Sequence, residues 1–352
     1  MISVFKYEQP FQLESGVTLP GYHLAYTTYG KLNAAKNNVV WIFHALTANS
    51  NPLEWWPGLV GDNKFFDPEK YFIICVNKPG SPYGSISPLS INPETGKPYY
   101  HDFPVFTIRD MIKAYRQLKD HLGIQKIFAA LGGSTGGMQL LEWAIEEPNL
   151  FEHIVPIATN AVLSPWGIAF NTSQRMAIEA DNTWLEKQPD AGQKGLAAAR
   201  SIALLSYRHY NGYALTQPRD KAFVALNKEV SYAADNYQRY QGIKLINRFN
   251  ALCYYRLTQS MDSHDVSYQR GSIEKALQQI TAKTLIIGIE SDILYPIEEQ
   301  VLLQKNIPGA QLLSIPSEFG HDGFLLEYEK IEGALREFIE DRSSYHLKIV
   351  NE

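Results

Sequence analysis

Six short runs of apolar, β-favouring residues recur along this chain: 39–43, 71–76, 127–131, 153–158, 284–289 and 310–315. A strand with one wet face alternates apolar and polar side chains. A run that is apolar throughout belongs in a sheet covered on both faces. Residues 108–118 and 138–145 space their apolar side chains three and four apart, as an amphipathic helix does, with Gly123 and Pro148 following as stop signals. Strand and helix in alternation predict a doubly wound, mostly parallel α/β sheet. Residues 17–29 read as extended strands suited to an antiparallel edge.

The alternation breaks between about Asn160 and Ile280. There the spacing predicts helices at 173–180, 195–207, 222–230 and 249–261, without strand runs like the others. The expected organisation is a core domain of residues 1–160 and 281–352, with a helical cap inserted over 161–280.

Of the 352 residues, 45% are hydrophobic and 20% charged, enough apolar material for a large core. The net charge of −5 carries no block of like charges, so no nucleic-acid partner is expected. Cys75 and Cys253 have no cysteine neighbours, and neither a disulfide framework nor a metal site is expected. Residues 1–10 lack a basic stretch followed by an apolar one, and no run reaches membrane-spanning length. The expectation is a cytoplasmic protein with no membrane partner.

The third run ends in Gly132-Gly133-Ser134-Thr135-Gly136 and passes into the helical stretch from Met138. This is G-x-S-x-G placed as strand, sharp turn and helix, the nucleophile elbow of an α/β-hydrolase fold. Strand and helix pass closely at such a turn, so the positions two before and two after the serine must be small. A phosphate-binding loop is excluded because G-x-x-x-x-G-K-[ST] is absent.

A serine hydroxyl needs a base, and in this fold the chain order is serine, acid, histidine. The histidines after Ser134 are His153, His209, His264, His321 and His346. His209 and His264 fall in the expected cap, His346 in the tail and His153 at a strand run. His321 lies in a glycine-flanked loop after the last run, where a base can reach the elbow. Asp292, just past the fifth run, is the expected acid, and Glu290 is its nearest rival. The acid's role is to fix the imidazole tautomer and stabilise the imidazolium. For the oxyanion hole the expected donors are the backbone N–H groups of Thr135 and Leu46.

Longer strings now carry a resemblance. Residues 44–47 (HALT), 90–98 (SINPETGKP), 132–139 (GGSTGGMQ), 174–178 (QRMAI), 195–200 (GLAAAR), 257–262 (LTQSMD), 291–296 (SDILYP) and 320–325 (GHDGFL) resemble the homoserine O-acetyltransferase family of α/β hydrolases. The resemblance implies acetyl transfer from acetyl-CoA, a co-substrate with no bound cofactor, to the hydroxyl of L-homoserine. It implies a ping-pong route through acyl-Ser134, an early step toward methionine. It further implies Arg200 and Tyr207 as contacts to the amino acid, Asp322 near its ammonium group, and a homodimer built through the caps. A guanidinium suits a carboxylate and an aspartate suits an amine. The chain departs from the family pattern in the loop 77–88 and at Thr135, where methionine is common. Another donor or acceptor (succinyl, serine), an esterase, and a non-catalytic binding protein are the alternatives.

Overall fold

The structure, a computed structural model, describes residues 2–219, 221–223 and 230–340. Eight strands form the central sheet: β1 (Ile2–Tyr7), β2 (Tyr22–Tyr29), β3 (Val39–Phe43), β4 (Phe72–Val76), β5 (Ile127–Gly133), β6 (Phe151–Ile157), β7 (Lys283–Ile289) and β8 (Gln311–Ile315). Their spatial order is β1-β2-β4-β3-β5-β6-β7-β8. β2 runs antiparallel to both neighbours, and every pairing from β4 to β8 is parallel. The six apolar runs are the six strands β3 to β8, within two residues at either end.

Their uniform apolarity has the expected cause. Val39, Trp41 and Phe43 pack into one core and Val40 and Ile42 into another, so successive side chains of β3 fill opposite faces. Ile74 and Val76 of β4 likewise oppose Ile73 and Cys75. Each fully buried Leu, Ile or Val on such a strand contributes about 1.5–3 kcal/mol.

Nine helices matter for the site: α1 (Ile108–His121), α2 (Thr135–Glu146), α3 (Pro165–Glu179), α4 (Gln193–Tyr207), α5 (Tyr210–Thr216), α6 (Ala233–Ile246), α7 (Ala251–Asp262), α8 (Ile297–Asn306) and α9 (Tyr328–Glu340). Helix α1 starts in a capping box, Thr107 accepting from the Asp110 N–H while the Asp110 carboxylate accepts from the Thr107 N–H. Arg109 of α1 and Arg270 both bind the buried Glu142 of α2, with Arg109 Nε at 2.9 Å and Arg270 Nη1 at 3.0 Å.

Helices α3 to α7 all lie between β6 and β7. The chain leaves and re-enters beside itself, with the Leu163 N–H bonded to the His264 carbonyl at 2.9 Å and the Val266 N–H to the Ala161 carbonyl at 3.0 Å. One expected element is corrected. Lys221–Phe223 and Val230–Tyr232 pair as an antiparallel hairpin instead of lying in a helix over 222–230. The rest of that stretch, 224–229, lies outside the described residues, as does His346. Among the described residues no helix is long and apolar enough to cross a membrane.

Candidate active site

The strand order reverses at β3, which has β4 on one side and β5 on the other. In open parallel sheets such a switch point opens a crevice at the carboxyl ends of the strands. The loop after β3 (His44 to Thr47) and the turn after β5 (Ser134) both emerge there.

Ser134 sits at φ 57° and ψ −124°, strained geometry for a residue with a Cβ. The turn is held by the Ser134 N–H donating to the Ile157 carbonyl at 2.9 Å, and by the Thr159 hydroxyl donating to the Ser134 carbonyl at 2.9 Å. The glycine requirement read from the sequence has concrete neighbours. A Cβ on Gly132 would come within 2.3 Å of the Gly136 carbonyl oxygen, and one on Gly136 within 2.2 Å of the Phe43 oxygen. Only bare backbone lets strand and helix cross so closely.

His321 lies in a short helical turn after β8 and is buried. Its Nδ1 meets Asp292 Oδ2 at 2.6 Å, while Asp292 Oδ1 accepts the N–H groups of Leu294 at 2.8 Å and Tyr295 at 3.0 Å. The carboxylate is thereby aimed, and Nδ1 carries the proton that leaves Nε2 free as a base. Glu290 is exposed and accepts instead from the Ser314 hydroxyl at 3.1 Å. The rings of Tyr207, Tyr295 and Phe324 surround the imidazole, their centroids at 5.6, 5.2 and 5.3 Å. The Tyr295 hydroxyl is buried next to Ser134 without a hydrogen bond of ordinary geometry, and burial raises its pKa well above the usual range.

Ser134 and His321 open into one cavity of about 650 Å³, together with Leu46, Arg200, Tyr207 and Asp322. Six of the eight residues expected from the sequence thus line one space. The other two adjoin it: Asp292 stands behind His321, and Thr135 follows Ser134 as the first residue of α2, where a backbone N–H has no acceptor within its helix. The Leu46 N–H has no hydrogen-bond acceptor among the described residues. Two such N–H groups beside the serine are the kind of donor a tetrahedral oxyanion needs.

Arg200 lies over the Tyr207 ring at 5.5 Å and has no carboxylate partner among the described residues. Asp322 is instead paired with Arg208, whose other terminal nitrogen donates to the Tyr237 hydroxyl at 3.0 Å. Sequence reasoning missed Arg208, whose only sequence mark was a charge next to Tyr207. It also missed Arg248 at the cavity rim, which donates to the Tyr83 hydroxyl at 2.7 Å.

Switch point, elbow and buried His–Asp pair together define an α/β hydrolase. The family model described as alpha/beta hydrolase fold matches residues 38–328. A homoserine O-acetyltransferase from Cyclobacterium marinum is 48% identical over 335 residues, covering 95% of this chain and 94% of the relative. The chain belongs to the homoserine O-acetyltransferase family. Among solved structures, a homoserine O-acetyltransferase from Bacillus anthracis superposes with a TM-score of 0.85 at 25% identity, covering 99% of each chain. A variant of an esterase superposes equally well, at a TM-score of 0.85 and 25% identity, over 96% of this chain and 99% of that one.

Proposed function

We propose that this enzyme transfers an acetyl group from acetyl-CoA to the hydroxyl of L-homoserine through an acyl-Ser134 intermediate. The observation that carries the proposal is that one cavity holds Ser134, the Asp292-bound His321 and Arg200, which has no carboxylate partner among the described residues. His321 takes the proton of Ser134, whose oxygen attacks the thioester carbonyl. The N–H groups of Leu46 and Thr135 hold the oxyanion, and the proton passes from His321 to the departing thiolate. The homoserine hydroxyl then loses its proton to His321 and attacks the acyl-serine, and the regenerated serine recovers that proton. Arg200 grips the acceptor carboxylate and Asp322 receives its ammonium, displacing Arg208. The reading also rests on the names of the 48% identical relative and the Bacillus anthracis structure. Its biological place would be an early step toward methionine, in the cytoplasm.

A cap-to-cap homodimer belongs to the same proposal. Supporting it, Trp166 and Met176 of α3, Leu205 of α4 and Tyr240 and Ile243 of α6 are large apolar side chains exposed on helices of the inserted segment. Light scattering tests it, a monomer refuting it.

The test of activity is CoA release from acetyl-CoA with homoserine, with serine, or with no acceptor. Release that depends on homoserine is the expected result. Equal release without any acceptor would favour hydrolysis, the second reading, which the likeness to an esterase supports.

A further inference from the structure

Lys78 lies just past the end of β4, in the loop 77–88. The residue is 2% exposed. Burying an ammonium costs several kcal/mol unless it is well paired, and among the described residues Lys78 has no carboxylate partner. Its nitrogen instead donates to the Ala45 carbonyl at 2.8 Å and to the His44 carbonyl. His44 Nε2 accepts from the Lys78 backbone N–H at 3.3 Å, which leaves the proton on Nδ1, 2.8 Å from the same Ala45 oxygen.

That oxygen shares a peptide plane with the Leu46 N–H. The chain has no cis peptide bond among the described residues, so in this unit the C=O and N–H point in opposite directions. A donor that fixes the Ala45 oxygen on the buried side therefore turns the Leu46 N–H the other way. Leu46 lines the cavity that holds Ser134 and His321. Behind it lies a much smaller void of about 10 Å³, lined by Lys78, Leu46, Thr135 and Gln139 among others. Lys78 thus shares a void with Leu46 and Thr135, the two residues whose N–H groups are the expected oxyanion donors.

We propose that Lys78 is a positioning residue for the oxyanion hole: its buried ammonium grips the Ala45 carbonyl, aligns and polarises that peptide, and so presents the Leu46 N–H to the tetrahedral oxyanion on Ser134. The inference rests on the acyl-Ser134 reading above. A cation on the carbonyl end of a peptide makes its N–H a stronger donor, and a pre-aligned dipole needs no reorganisation as charge develops. The titratable groups facing Lys78 are His44 at the end of β3 and Cys75 on β4; Thr135 and Gln139 of α2 are polar but do not titrate. Burial lowers the Lys78 pKa to about 7. Burial, then Lys78, lowers that of His44 well below its usual value, and burial raises that of Cys75 to about 12.

The test is Lys78→Met, which keeps an unbranched side chain and removes the charge. With acetyl-CoA, kcat should fall at least ~10-fold, approaching the 10²–10³-fold typical of a lost oxyanion donor, while KM changes less than about twofold. Labelling of Ser134 by a fluorophosphonate, whose adduct places an oxygen in the same hole, should slow in proportion. A folded variant with kcat within about twofold of the unaltered enzyme overturns the proposal, as does a rise confined to KM. A second measurement needs no change at residue 78. In a His321→Gln chain, the Leu46 amide nitrogen should shift with pH between about 6 and about 9, with a midpoint near the 7 of Lys78. A Leu46 signal that stays flat while the Lys78 Nζ resonance itself titrates overturns the proposal even if Lys78→Met cannot be folded. Ser134→Ala separates the two claims: full activity in that variant refutes the acyl-serine reading itself, whereas a normal Lys78→Met refutes only this one.

Discussion

Asp292 divides its two oxygens, one binding His321 Nδ1 at 2.6 Å and the other capping the N–H groups of Leu294 and Tyr295. The backbone thereby sets the carboxylate, and the carboxylate sets the imidazole. Asp292→Asn keeps the shape but presents an N–H where an acceptor is needed or favours the wrong tautomer. The expected outcome is a loss of kcat of roughly 10³–10⁴-fold with a folded protein, measured by CoA release at saturating substrate. A loss under about tenfold would place the orienting group elsewhere.

The close approach of α2 to the end of β3 is a steric claim about Gly136. Gly136→Ala puts a Cβ within 2.2 Å of the Phe43 oxygen, so β3 or the elbow must shift. Stability should fall by about 2–3 kcal/mol and activity should collapse with it, read by denaturant unfolding and CoA release on the same sample. An alanine tolerated without either effect would show that the turn has room.

The proposed ammonium site at Asp322 can be separated from the proposed acylation chemistry. Asp322→Asn should raise the KM for homoserine roughly 10–100-fold, the worth of a charge-assisted hydrogen bond, and leave acyl-enzyme formation from acetyl-CoA within about twofold. Loss of both half-reactions together would instead assign Asp322 to holding the His321 turn through Arg208.

Acid should destabilise the fold through buried histidines. Burial lowers the pKa of His264, and burial followed by Lys78 lowers that of His44. A neutral histidine held below its unfolded value of about 6.5 contributes stability that is complete above that pH. The contribution is lost as pH falls from there through the lowered folded values. The thermal midpoint should therefore drop between about pH 7 and about pH 5, with net proton uptake on unfolding. A flat midpoint over that window contradicts the assignment.

Much of this was legible because the physics was local. The six apolar runs became strands since a doubly covered sheet leaves no polar position to blur them. Ser134, Asp292 and His321 could be singled out as candidates because each ends or follows a strand in a fixed order. The inserted segment was harder. Helix α6 (Ala233–Ile246) was not foreseen: it buries only Gly242 and Leu245, so its sequence shows little apolar periodicity. Residues 222–230 have an acceptable helical spacing, yet 221–223 and 230–232 pair as a hairpin, a tertiary choice that a short window does not encode. Arg208 and Lys78 were hidden for another reason. Their partners lie 114 and 33 positions away, and a single charged letter does not announce a carboxylate or a carbonyl brought in by the fold.

The most direct test of the central claim is the state of Ser134 after the enzyme meets acetyl-CoA without acceptor. Rapid quenching, digestion and mass spectrometry should find one acetyl group on the peptide carrying Ser134, and added homoserine should remove it as O-acetylhomoserine forms. Steady turnover with Ser134 never acetylated, or with Ser134→Ala as active as the unaltered enzyme, would contradict the account.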